Sequence, residues 1–232
     1  VVVVRSFIRW TLETTQCVEG RGTRHSQESF EPRFFPLEHP PTAPLRPQDQ
    51  KRVNMAIPVP APRVARFERL GYGMFIHWGL YAQLGQGEWV QHLRKIPMQE
   101  YVQLKQSFTA ADFDARAIAA TARAAGMKYI TLTSRHHDGF SLYDTRGLSD
   151  HDAPNSAAGR DLAGEFVEGC RAEGIIPFFY HTTLDWYQPT FNDDFDAYLD
   201  YLHKSVEVLC THYGELGGVW FDGNWSKPDA DW

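Results

Sequence analysis

The chain has 232 residues, 43% hydrophobic and 22% charged, with a formal net charge of −6. That is enough apolar content for one sizeable core, and the acidic balance argues against nucleic acid as a main partner. No apolar run approaches the ~20 residues that a helix needs to cross a bilayer, so no membrane span is expected.

Residues 1–69 hold eleven of the 23 Lys+Arg but only seven of the 29 Asp+Glu, and nine of the fourteen prolines. Pro32, Pro36, Pro40, Pro41, Pro44 and Pro47 interrupt any regular element there. Residues 1–57 therefore read as a disordered or non-native leader, with a natural start expected near Met55, the first methionine. The opening lacks the basic and small-residue flanks of a signal peptide. Cys17, Cys170 and Cys210 have no metal-ligand spacing and read as free thiols in a reducing compartment, so the expected location is cytoplasmic.

From residue 58 the chain alternates strand and helix. Arg63–Leu70 suggests a short helix or turn, and Gly73–Trp78 a strand. A loop at Leu80–Val90 is rich in glycine and aromatic residues, and helical segments are expected at 97–106. Asp114 is a suitable N-cap for a helix that carries Ile118, Thr121, Ala122 and Ala125 and is closed by Gly126. A strand follows from Tyr129. Leu162, Phe166, Val167 and Cys170 then lie along one helical face, with Gly174 ending the helix before a strand at Ile175–Tyr180. Phe195 to Tyr213 is a longer amphipathic helix, stopped by Gly214 ahead of a strand that ends at Asp222. This alternation predicts an α/β fold with parallel strands and right-handed crossovers, an incomplete (β/α) TIM-type barrel of about four strand-helix units. Residues 58–232 would be its N-terminal half.

Parallel neighbours bring their C-terminal ends together, so His77, His136, His137, Tyr180 and Asp222 should meet at one rim. His136-His137 could bind a metal, bond a ligand or cap a turn. Adjacent strand positions point to opposite faces, so only one of the two should face the centre unless the strand bends. Asp222 before Gly223 suits a turn former as well as a site residue, but Trp220 and Trp225 flank it with aromatic surface. Asp185-Trp186 reads equally as a capping turn or a site wall.

Five segments stand in one order: Phe75-Ile76-His77-Trp78-Gly79-Leu80-Tyr81, Gly87-Glu88-Trp89, Leu132-Thr133-Ser134-Arg135-His136-His137-Asp138-Gly139-Phe140, Leu184-Asp185-Trp186 and Val219-Trp220-Phe221-Asp222-Gly223. Together they closely resemble the α-L-fucosidases of glycoside hydrolase family 29, over about Phe67 to Trp232. Arg135 is a departure, since many members carry lysine there. The resemblance implies a retaining exo-hydrolase that removes terminal α-L-fucose from glycans or glycosides, without metal or other cofactor, on a barrel followed by a β-sandwich.

The family's nucleophile falls on Asp222, and its fucose contacts fall on His77, Glu88, Trp89, His136, His137, Tyr180 and Trp220. Its acid/base is a glutamate on a later part of the barrel. Glu88 or Asp138 could stand in only if one of them meets the geometry. The expected molecule is thus a fragment that carries the nucleophile and most of the fucose pocket, with an open barrel edge through which it could self-associate. A non-catalytic fucose-binding or interaction fragment is one alternative. A metal-dependent barrel hydrolase using His77, His136, His137 and Asp222 is another.

Overall fold

A computed structural model of the chain describes residues 59–228 and 232. The leader expected over residues 1–57 lies outside them.

Four strands form one parallel sheet in sequential order: β1 Gly73–Ile76, β2 Tyr129–Arg135, β3 Ile176–Thr182 and β4 Gly218–Asp222. Strand β2 pairs with β1 through Gly73↔Tyr129 and with β3 through Tyr129↔Ile176, and β3 pairs with β4 through Phe178↔Gly218. β-Branched and aromatic residues fill these segments, which suits a pleated, half-buried surface. Sequential parallel strands need long crossovers, and helices supply most of them. The helices are α1 Pro62–Glu68, α2 Val90–Leu93, α3 Met98–Tyr101, α4 Ala115–Ala124, α5 Leu162–Ala172, α6 Thr190–Asp193 and α7 Phe195–His212. An aspartate carboxylate accepts from the third residue beyond it at each long helix start: Asp114 from Ala117 N at 2.9 Å, Asp161 from Gly164 N at 2.9 Å and Asp194 from Ala197 N at 3.1 Å. These caps satisfy donors that the first helical turn leaves open.

The two faces of the sheet differ. Met74, Ile76, Ile130, Leu132 and Phe179 pack with Ala119, Ala122, Phe166, Val167 and Leu209 into the main core beneath the helices. The opposite face carries Phe75, Tyr129, Phe178, Tyr180 and Trp220, with Phe67 of α1 packed on Tyr129 and Phe178 at ring distances of 5.5 and 5.6 Å. Phe75 is 42% exposed on that face. This is the layering of a (β/α) barrel, with helices outside and an inner face, seen over four strands among the described residues. Among the described residues β1 and β4 are the open edges.

Strand β1 stops two residues earlier than expected, because the Thr133 hydroxyl takes the place of a ladder partner. Thr133 Oγ1 accepts from Trp78 N at 3.0 Å and donates to Trp78 O at 3.1 Å. The expected loop after it contains a 3-10 turn, Leu80–Leu84, whose Leu80 and Tyr81 are buried. Among the described residues no helix is long and apolar enough to cross a membrane.

Helices α4 and α5 touch closely at Gly169, where a Cβ would lie 2.7 Å from the backbone carbon of Ala115 and 2.8 Å from Arg116 N. Backbone cannot swing aside as a side chain does, so Gly169→Ala should push the helices apart. We expect a loss of about 1–3 kcal/mol in urea unfolding, the usual cost of overpacking, with the m-value unchanged.

Candidate active site

Asp222 ends β4 opposite Thr182 of β3. Its carbonyl accepts twice from Thr183, from N at 2.6 Å and from Oγ1 at 2.9 Å, so its backbone is held on both sides of one residue. Tyr180 O–H donates to Asp222 Oδ2 at 2.8 Å. The chain then turns at Gly223, φ 99°, where a Cβ would sit 2.6 Å from Leu184 Cβ and 2.7 Å from Leu184 N. Only glycine fits such a turn at low cost, and the turn leaves the carboxylate at the strand mouth, 34% exposed.

Both histidines of the His-His-Asp-Gly stretch enter the same cluster, which differs from the alternation expected of a continuing strand. Strand β2 ends at Arg135, and its register against β3 shifts between Thr133 and Arg135. The backbone then turns, with Gly139 N donating to His136 O at 3.0 Å. The His136 ring stacks on Tyr180 at 5.4 Å and 9° and lies 5.5 Å from His77. The His137 ring lies 4.2 Å from His136 and 5.2 Å from Trp89, with Nε2 3.9 Å from Asp222 Oδ2. His77 stacks on Phe75 at 5.1 Å, and Phe75 meets Trp220 edge-on at 5.7 Å. Six of the seven residues on which the family's fucose contacts fall therefore form one contact chain with Asp222: His77, Trp89, His136, His137, Tyr180 and Trp220. Glu88 joins through its charge, which favours protonation of His77, His137 and Tyr180.

Burial sets the charge state of this cluster. It drives His136 down to about 2, helped by the neighbouring histidines, and His137 down to about 4 against the pull of Asp222. Burial and the Asp222 carboxylate both raise Tyr180, so the phenol keeps its proton and donates it. At neutral pH the histidines offer uncharged donors and acceptors beside a carboxylate, with aromatic faces around them. Such a set suits a ligand with many hydroxyls and exposed C–H edges better than an ion. Among the described residues no group of three or more His, Cys, Asp or Glu side chains converges as a metal site.

Asp138 does not face the pocket. It is fully buried, accepts from Tyr101 O–H at 2.6 Å and from Phe140 N at 3.2 Å, and is pushed up to about 6 by burial. Asp185-Trp186 serves as both the capping turn and the wall. Asp185 Oδ1 accepts from Tyr187 N and Gln188 N at 2.9 Å each, while Trp186 N donates to His137 O at 2.8 Å and its ring lies 5.4 Å from His137. Behind this turn the buried Arg135 guanidinium lies over Tyr201, bonded to its hydroxyl at 2.7 Å and 3.8 Å from Asp185. Three neighbours were missed by sequence reasoning. Phe75 was findable, since it alternates with His77 on one strand face, whereas Thr182 and Thr183 act through register and carry no motif signal.

A family model described as alpha-L-fucosidase matches residues 51–232, starting earlier than the Phe67 from which the sequence resemblance runs. Human tissue alpha-L-fucosidase is 28% identical over 193 residues, 74% of this chain and 41% of the relative. A putative alpha-L-fucosidase of Caenorhabditis elegans is 26% identical over 69% of this chain and 38% of its own length. Among solved structures, alpha-L-fucosidase isoenzyme 1 of Paenibacillus thiaminolyticus aligns with a TM-score of 0.67 at 40% identity, over 71% of this chain and 43% of that one. A Bacteroides thetaiotaomicron GH29 alpha-L-fucosidase gives 0.68 at 31% identity, over 72% and 42%. The chain thus spans about two fifths of the length of these relatives. A family match over 51–232, together with solved fucosidases that share this fold, means that the chain belongs to the alpha-L-fucosidase family.

Proposed function

We propose that this chain carries the nucleophile and most of the sugar pocket of a retaining α-L-fucosidase that removes terminal α-L-fucose from glycans or glycosides. The observation that carries the reading is Asp222, partly open at a strand mouth, with Tyr180 O–H on one carboxylate oxygen and neutral His137 beside it. In this reading an Asp222 oxygen attacks the anomeric carbon, the bond to the leaving oxygen breaks, and a glycosyl ester forms that water later opens. His77, Glu88, Trp89, His136, His137, Tyr180 and Trp220 surround the sugar.

Retention requires a second carboxyl roughly 5–5.5 Å from the first, to protonate the leaving oxygen and then activate water. Asp138 is committed to Tyr101 and buried, which argues against it. We assign the acid/base to the part of the family barrel that this chain does not span, and expect no turnover of unactivated fucosides by the 232 residues alone. The free thiols Cys170 and Cys210 suit a reducing, cytoplasmic setting, to be checked by cell fractionation.

An alpha-L-fucosidase of Bacteroides thetaiotaomicron with the same family fold has been trapped as a covalent intermediate with 2-fluoro-fucosyl fluoride. That chemistry provides the test. Fluoride leaves as an anion without protonation, so the probe needs only a formed pocket and the nucleophile. Intact-mass spectrometry should show one adduct per chain, mapping to the Asp222 peptide and absent in Asp222→Asn. Fucose binding without any adduct would instead favour the non-catalytic binding fragment.

Because burial keeps His136 and His137 neutral well below their ordinary value, the labelling rate should show no inflection at the ordinary histidine value of 6.5. An inflection there would mean that these rings are solvated. The open edges of β1 and β4 and the exposed Phe75 support self-association. Sedimentation velocity should then show a species larger than monomer that grows with concentration, and a single monomer peak at all concentrations would remove that proposal.

A further inference from the structure

The tautomer of His137 follows from its neighbours. Thr182 Oγ1 donates its one proton to Leu184 O at 2.5 Å, so towards His137 Nδ1, 2.6 Å away, it can only accept. The proton of the neutral ring is therefore on Nδ1. Nε2 is then a bare lone pair. It lies 3.9 Å from Asp222 Oδ2, too far for a hydrogen bond, and both are acceptors, so neither satisfies the other.

We propose that Thr182 is a positioning residue that locks His137 in its Nδ1–H form, so that Nε2 presents an acceptor to a ligand hydroxyl beside the Asp222 carboxylate. The ligand class is a sugar whose O–H lies at this point and donates. A substituent that can only accept, such as a methyl ether, would face the Nε2 lone pair there and be rejected.

Three further facts support a dedicated device. Thr182 is fully buried, so water does not compete for its hydroxyl. The Thr182 hydroxyl is fixed by β3–β4 pairing, since Thr182 stands in register with Asp222 itself. One strand pair therefore sets both acceptors. The His137 ring cannot turn over freely, since His136, Trp89, Trp186 and Trp225 pack around it at 4.2 to 5.6 Å.

The ligand part rests on the fucose-pocket reading, whereas the tautomer does not, and the experiment separates them. The 232-residue chain, labelled with 15N in histidine, is observed by long-range 1H–15N correlation with His137 assigned by substitution. In the wild type Nδ1 should show the shift of a protonated nitrogen and Nε2 that of a bare one. Thr182→Val keeps the shape but removes the acceptor, and should move both nitrogens towards averaged values. Thr182→Ser restores the hydroxyl and should restore the pattern. A proton on Nε2 in the wild type, or an unmoved pattern in Thr182→Val, overturns the proposal.

Calorimetry with fucose then reads the ligand part. Affinity should fall about tenfold in Thr182→Val and recover in Thr182→Ser, the usual size of one hydrogen bond to a well-placed acceptor. Equal affinity in all three proteins overturns the hydroxyl-reading role. Absence of fucose binding in a wild type that shows the expected nitrogen pattern overturns the fucose reading and leaves the tautomer lock standing.

Discussion

The site depends on the pairing of β3 with β4. This ladder puts Thr182 beside Asp222 and Tyr180 beside Trp220, and the residue after β3, Thr183, bonds the Asp222 carbonyl through both its amide and its hydroxyl. A slip of one residue would turn Asp222 towards the helices and bring Phe221 to the pocket, because strand side chains alternate. The register is held against that slip by the core. Phe179 and Val219 are buried, and the glycine-only turn at Gly223 leaves no room for the chain to shift past Leu184.

A second constraint is electrical. Histidine, tyrosine and carboxylate groups crowd one strand mouth, and charging the histidines there would lose much of their hydration. The fold keeps them neutral and satisfies them locally: His137 bonds Thr182, Tyr180 bonds Asp222, and His136 stacks on Tyr180. One layer further out, the same logic recurs without a pocket. Buried His181 lies between Ser134 and Ser205, each able to exchange a hydrogen bond with a neutral ring. Arg135 is the exception, a buried cation with Asp185 as its counter-charge. Its guanidinium Nε and Nη2 have no hydrogen-bond partner among the described residues and Nε lies 3.8 Å from Asp185 Oδ2, so the pair is not an ideal salt bridge. Such pairs contribute more to uniqueness of structure than to stability in some proteins, a role that fits its place between two pocket segments.

Much of the fold was legible because its signals are local. Asp114 and Gly126 bracket α4 as their chemistry suggests, and the apolar stripe from Phe195 to Tyr213 became α7. Short apolar runs that stop at polar residues did mark strand mouths, and Asp222 could be named from one such run. What escaped was set by partners distant in sequence. Strand alternation alone would send His136 and His137 to opposite faces, and both reach the pocket because β2 ends at Arg135, just before them, at a register shift. Strand β1 stops at Ile76 because of the hydroxyl of Thr133. Thr182 and Thr183 are ordinary strand threonines by composition, and only pairing shows which atoms they reach.

The pocket contacts have one more property in common. Tyr180 and Asp222 are separated by 42 residues, Ser134 and Tyr180 by 46, and Trp78 and Thr133 by 55. Each of these contacts closes a long loop, whose entropy must be spent before the contact returns anything. As the chain leaves the ribosome, His77, His136 and Tyr180 are all present well before the strand that carries the carboxylate. The earlier strands and α5 can condense on their own apolar face, but until β4 arrives Thr183 has no Asp222 carbonyl to bind and the Tyr180 phenol has no acceptor there. Folding order and site assembly therefore run in the same direction, and the Asp222 carboxylate is set in place by β4, the last of the four described strands in chain order.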